Sequence, residues 1–86
     1  MRLNPYEVIR HPFVTEKTMN HLEDNKLEFI VVRWADKPTI KRAVEALLNA
    51  RVVQVRTYHD KAGKHAIVKF GPEHKVEDLA TRIGVF

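Results

Sequence analysis

Apolar residues recur along this chain in two rhythms, one of helices and one of strands. The helical rhythm is clearest in residues 35–48. Ile40, Ala43, Val44, Leu47 and Leu48 there follow the i, i+3, i+4, i+7, i+8 spacing of a single buried stripe. Lys41, Arg42 and Glu45 fall off that stripe. Pro38 suits the first helical turn, where its missing N–H leaves no bond unmade, and the residue before a proline avoids helical angles. This reading puts Lys37 at the cap and Asp36 just outside it. The strand rhythm is clearest in residues 27–34. Leu27, Phe29 and Val31 point one way; Ile30, Val32 and Trp34 point the other. Apolar groups on both sides predict a strand covered on both faces; Trp34 at its end could stack on a nucleotide, but a tryptophan in that place is usually core, and that is the expectation.

The same reading extends outward from this pair. Val8 and Ile9 suggest a short strand that Pro12 interrupts. Thr15 is a favoured N-cap and Glu16 an acid suited to a first turn, so a helix is expected from Thr15 to Asp24-Asn25. Val14 and Met19 have the spacing of a hydrophobic staple, and Met19 and Leu22 carry the stripe. Residues 51–58 alternate as a second long strand, Val53 and Val55 on one face, Val52, Gln54, Arg56 and Tyr58 on the other. Asp60 and Gly63 mark a hairpin, after which Ala66, Val68 and Phe70 alternate with Ile67 and Lys69. Gly71-Pro72 stops that strand, and Val76, Leu79, Ala80 and Ile83 stripe a last helix with Gly84 as its C-cap and Val85-Phe86 folding back. The prediction is one α+β domain over residues 1–86: a four-stranded, mostly antiparallel sheet with helices on both faces, in the order strand-helix-strand-helix-strand-strand-helix.

Composition narrows the chemistry. A content of 44% apolar and 30% charged residues is that of a folded soluble protein. No apolar run reaches the roughly 20 residues of a membrane span, and the first residues lack a signal-peptide core. With zero cysteines there are no disulfides or thiolate metal sites, which agrees with a cytoplasmic home and no membrane partner. There is also no serine, no phosphate-cradling glycine loop and no helical histidine pair among His11, His21, His59, His65 and His74. Catalysis, a bound metal and an organic cofactor are therefore not expected.

Charge points to a polyanion. Residues 33–75 hold ten basic groups against four acids, whereas residues 1–32 and 76–86 are each slightly acidic. Lys37, Lys41 and Arg42 edge the central helix. Lys61, Lys64 and His65 cluster at the hairpin, and Arg33, Arg51, Arg56 and Lys69 lie on or beside the strands. Such groups suit backbone phosphates better than base edges. One alternative is a free single-stranded-RNA-binding module of the RNA-recognition-motif type. Residues 63–70 echo that signature strand weakly, but His65 and Ile67 stand where its stacking aromatics belong.

Pro12-x-Val14-Thr15-Glu16-Lys17, then Ala35-x-Lys37-x-x-Ile40-Lys41-x-Ala43-Val44-Glu45, then Val52-x-x-Val55-x-Thr57 and Lys64-x-Ala66-x-Val68, resemble the universal large-subunit ribosomal protein number twenty-three family. The ending Ile83-Gly84-Val85-Phe86 is similar to its short archaeal form. The resemblance implies binding to large-subunit rRNA beside the polypeptide exit tunnel, next to the twenty-ninth large-subunit protein. It also implies a docking surface for nascent-chain factors such as the signal recognition particle. Carried over residue by residue, Lys37, Lys41 and the strand-end basic residues would face rRNA, and Glu16 matches the docking glutamate. Arg56 stands where the family usually has asparagine, and His65 and Ile67 where it has lysine and tyrosine.

Overall fold

A four-stranded antiparallel sheet, in the order β1-β2-β4-β3, divides the molecule into two layers. The computed structural model describes residues 4–15 and 17–83, Met19 without its side chain. The elements run α1 (Pro5–Val8), β1 (Ile9–Pro12), a 3-10 helix (Thr18–Asp24), β2 (Lys26–Val31), α2 (Lys37–Leu48), β3 (Val52–Asp60), β4 (Gly63–Phe70) and α3 (Val76–Arg82). The expected α+β sheet is present. The short helix α1 was not expected; Asn4 caps it through a 3.0 Å bond from the Tyr6 N–H, and Pro5 opens it.

Strand register decides which side chains share the core. Leu27 lies opposite Val68 and Phe29 opposite Ala66 across β2 and β4. Val52, Val55 and Thr57 lie opposite Phe70, Val68 and Ala66 across β3 and β4. Onto this face pack Val8 of α1, Ile40, Ala43, Val44 and Leu48 of α2, and Val76, Leu79 and Ala80 of α3, all buried. The stripe predicted for α2 is thus realised, with Leu47 half-buried at its margin.

Four local expectations are corrected. Asp36, not Lys37, is the N-cap of α2: its carboxylate accepts the Thr39 N–H at 2.9 Å. The chain leaves the sheet at Val31 rather than residue 34, because Val32 to Ala35 closes a turn through a 3.2 Å bond from Ala35 N–H to Val32 C=O. In β3 a bulge between Val52 and Gln54 shifts the alternation, so Val52 joins Val55 on the core face and Val53 is exposed. The expected helix from Thr15 is instead a 3-10 helix beginning at Thr18. Lys17 is its cap and makes no side-chain capping bond, while Thr15 and Thr18 bond each other: the Thr15 hydroxyl accepts the Thr18 N–H at 3.1 Å, and the Thr18 hydroxyl accepts the Thr15 N–H at 2.7 Å. Val14, however, is exposed. The expectations for Glu16, the Met19 side chain, Gly84 and Val85-Phe86 lie outside the described residues.

Asn25 and Asn49 end the 3-10 helix and α2 in the left-handed region, at φ 61° and 50°. Asn25 also ties elements together, its amide donating to the Phe70 and Gly71 carbonyls at 3.0 Å each.

Candidate nucleic-acid interface

The outer edge of α2 carries Lys37, Lys41 and Arg42, all exposed. Their placement follows from the fold: the stripe from Ile40 to Leu48 is committed to the sheet, so these positions must face water. None of the three forms an ion pair with a described residue. They are free cations with long, adaptable stems, suited to phosphate oxygens. Directly before α2, Arg33 is exposed in the turn that leaves β2.

A second basic group lies on the opposite face of the sheet. Exposed Arg56 of β3 sits across from Ile67, and exposed Lys69 of β4 sits across from Lys26 of β2. Two like charges directly opposite one another repel. Sequence reasoning missed Lys26 because only the β2–β4 register brings it to Lys69. Lys61 projects from the tip of the β3–β4 hairpin, where Asp60 accepts the Ala62 N–H at 2.8 Å and Gly63 takes φ +124°. The basic residues of the central segment therefore do not share one face.

Three of the residues expected at the interface are engaged within the protein itself. Arg51 is exposed but holds Glu73 in a two-pronged ion pair, Nε to Oε2 at 2.6 Å and the terminal nitrogen to Oε1 at 2.9 Å. That pair raises the guanidinium pKa and holds the Glu73 carboxyl down at about 2. Lys64 is half-buried, its ammonium donating to the Ala35 carbonyl. His65 is fully buried and offers no group to a nucleic acid.

His65 instead belongs to a polar cluster between the sheet and the segment crossing its second face. Its Nδ1 lies 2.7 Å from Glu28 Oε2 and its Nε2 2.6 Å from Asp60 Oδ1. Both ring nitrogens thus face carboxylate oxygens within hydrogen-bond distance. Tyr58 stacks on the ring at 4.4 Å and donates its hydroxyl to Glu28 at 2.5 Å; Phe13 covers the ring at 4.6 Å. His21 of the 3-10 helix reaches the other Glu28 oxygen at 3.1 Å. Desolvation first, then Glu28, pushes the Tyr58 hydroxyl well above the usual phenol range. The His65 bond holds the Asp60 carboxyl low. A carboxylate inside an otherwise apolar run at Glu28 was the available sequence signal. His59 does not pair with His65 across the hairpin: it lies opposite Lys64, and His65 lies opposite Tyr58.

Among the described residues no group of three histidine or acidic side chains is arranged to hold a metal, and no helix is long and apolar enough to cross a membrane.

Residues 7–78 match the family described as Ribosomal protein L23. A large ribosomal subunit protein uL23 from Methanothermobacter thermautotrophicus is 42% identical over 86 residues, covering 98% of this chain and 100% of the relative. Proteins of the same name from Methanobrevibacter smithii and Methanosphaera stadtmanae are 43% and 42% identical, with the same coverage.

Proposed function

The chain belongs to the ribosomal protein L23 family, and on that premise we propose that it is a structural, non-catalytic constituent of the large ribosomal subunit that binds large-subunit rRNA. The observation that carries the proposal is the free edge of α2, where Lys37, Lys41 and Arg42 are exposed without a described ion-pair partner. Arg33, Arg56, Lys61 and Lys69 are exposed as well and extend the basic surface beyond one face, as expected of a protein seated among several RNA segments. A cytoplasmic location follows from this reading.

The finer reading sets the protein beside the polypeptide exit tunnel, next to the twenty-ninth large-subunit protein, with Glu16 as the docking carboxylate for the signal recognition particle. It rests on the motif around Val14-Thr15-Glu16-Lys17. The β3–β4 hairpin has a tip of only Lys61 and Ala62, too short to line the tunnel deeply.

The free RNA-recognition-type module is the weaker reading. That mode needs an open sheet with aromatics available for bases. Here the second face is crossed by Phe13 and the 3-10 helix, and Tyr58 is already stacked on His65.

Binding of a large-subunit rRNA fragment by the Lys41→Glu, Arg42→Glu variant tests the proposal. Neither side chain packs in the core, so the variant folds. Its affinity should fall and its salt dependence should become shallower, by about 0.7–0.9 in log–log slope for each phosphate no longer neutralised. Affinity and slope equal to those of the unaltered protein would refute it.

A further inference from the structure

Trp34 is 63% exposed, although it follows a strand whose residues Leu27 to Val31 are all buried. Sequence periodicity placed it in the core; the turn from Val32 to Ala35 ejects it. In that turn Arg33 and Trp34 are the two central residues, the positions that project furthest. Such corners usually hold glycine, asparagine, aspartate or proline, each for a backbone reason. A tryptophan supplies no such backbone reason.

The turn is held firmly from below. The Val32 N–H donates to the Val8 carbonyl at 2.9 Å, Ala35 is fully buried, and Lys64 donates to the Ala35 carbonyl. Asp36 then locks the start of α2 through Thr39. The ring is therefore presented on a rigid mount, and little ordering remains to be done when something covers it.

The surroundings select the chemistry of that partner. Among the described residues the other large exposed apolar side chains are Tyr6, Val14, Val53 and Tyr58, on other elements of the fold. No other large exposed apolar side chain lies in this turn or on α2, which leads away from it. The neighbours of Trp34 in the chain are exposed Arg33 on one side and, past the Asp36 cap, exposed Lys37 on the other. An isolated aromatic face beside free cations fits a nucleobase whose flanking phosphates the cations hold.

We infer that Trp34 is a stacking platform for one unpaired nucleobase of the large-subunit RNA, with Arg33 on the adjoining phosphate. The inference rests on the rRNA-binding reading and adds to it a contact through a base face.

Trp34 is the only tryptophan in the chain, so its fluorescence reports this ring alone. The protein is titrated with a large-subunit rRNA fragment while binding is followed separately by anisotropy of the labelled RNA. Stacking quenches Trp34 emission in step with the anisotropy. Trp34→Ala, which removes an exposed side chain, should weaken binding by about 5- to 150-fold with the salt slope unchanged. Trp34→Phe should keep most of the affinity. Arg33→Gln should instead make the slope shallower by about 0.7–0.9. Normal anisotropy binding with Trp34 emission unchanged and Trp34→Ala at full affinity overturns the stacking site and leaves the rRNA-binding reading standing. Absence of RNA binding by anisotropy overturns both. A blue shift that needs a second large-subunit protein, with RNA alone leaving the emission unchanged, assigns the ring to a protein partner and also overturns the inference.

Discussion

Glu28 and His65 meet at 2.7 Å across β2 and β4, with their side chains 2% and 0% exposed. They are the two buried polar residues identified among the described ones, and each satisfies the other. His65 has Asp60 on its second nitrogen, and Glu28 has Tyr58 and His21. The cluster takes its geometry from three strands and the 3-10 helix, so it fixes their mutual placement.

Removing one partner should be costly. His65→Ala leaves the buried Glu28 carboxyl short of a hydrogen-bond partner, and a buried polar group so left costs about 1–3 kcal/mol, more where it is charged. Replacing both, with Glu28→Met and His65→Leu, should recover much of the loss, because an apolar pair leaves no buried polar group unsatisfied. Tyr58, Asp60 and His21 would then turn to water, which each already reaches in part. Urea unfolding of the two variants checks this; a double variant no more stable than His65→Ala would contradict it.

The Arg51–Glu73 pair should give the fold a component that acid removes. Glu73 titrates at about 2 rather than its ordinary 4.5, chiefly because Arg51 donates to its carboxylate. The unfolded chain therefore takes up this proton at higher pH than the folded one. The contribution is fully present above pH 4.5 and is lost as pH falls toward 2. Both side chains are about half exposed, so the effect is small. Glu73→Gln should flatten that part of a stability-versus-pH curve measured at low salt, and leave the curve above pH 5–6 (roughly one unit clear of the transition) parallel to the original.

Pairing should also separate two arginines in RNA binding. Arg42 has no ion-pair partner among the described residues, whereas Arg51 must give up Glu73 before it can hold a phosphate. Arg42→Gln should reduce the log–log salt slope of rRNA-fragment binding by about 0.7–0.9, and Arg51→Gln should reduce it by clearly less. Filter-binding titrations over a range of salt would show equal changes if the ion pair has no bearing on the interface.

Asn25 carries two duties that different substitutions should separate. Its φ of 61° needs a residue tolerant of the left-handed region, and its amide bonds the Phe70 and Gly71 carbonyls. Asn25→Ala loses both and should cost about 2–4 kcal/mol. Asn25→Gly relieves the backbone and loses only the bonds, so its unfolding midpoint should lie between those of Asn25→Ala and the unaltered protein. Equal midpoints for the two variants would show that backbone conformation contributes nothing there.

What the sequence determined by itself is what repeats locally. The α2 stripe, the alternation of β2 and β4, the α3 stripe and the hairpin at Asp60 and Gly63 are all legible, because side-chain direction within an element depends only on its period. The free cations of α2 are legible for the same reason: whatever lies off a buried stripe faces water. Tertiary structure decided whatever depends on register or on a change of backbone direction. The bulge between Val52 and Gln54 exchanged the faces of Val52 and Val53 and left the grouping predicted from Gln54 onward in place. The turn at Val32 to Ala35 took Trp34 out of the core. Pairing of β4 with both β2 and β3 brought His65 between Glu28 and Asp60, so a residue expected at the RNA surface is buried in a polar cluster. No local period encodes a partner 37 positions away along the chain; only the closing of the sheet places it there.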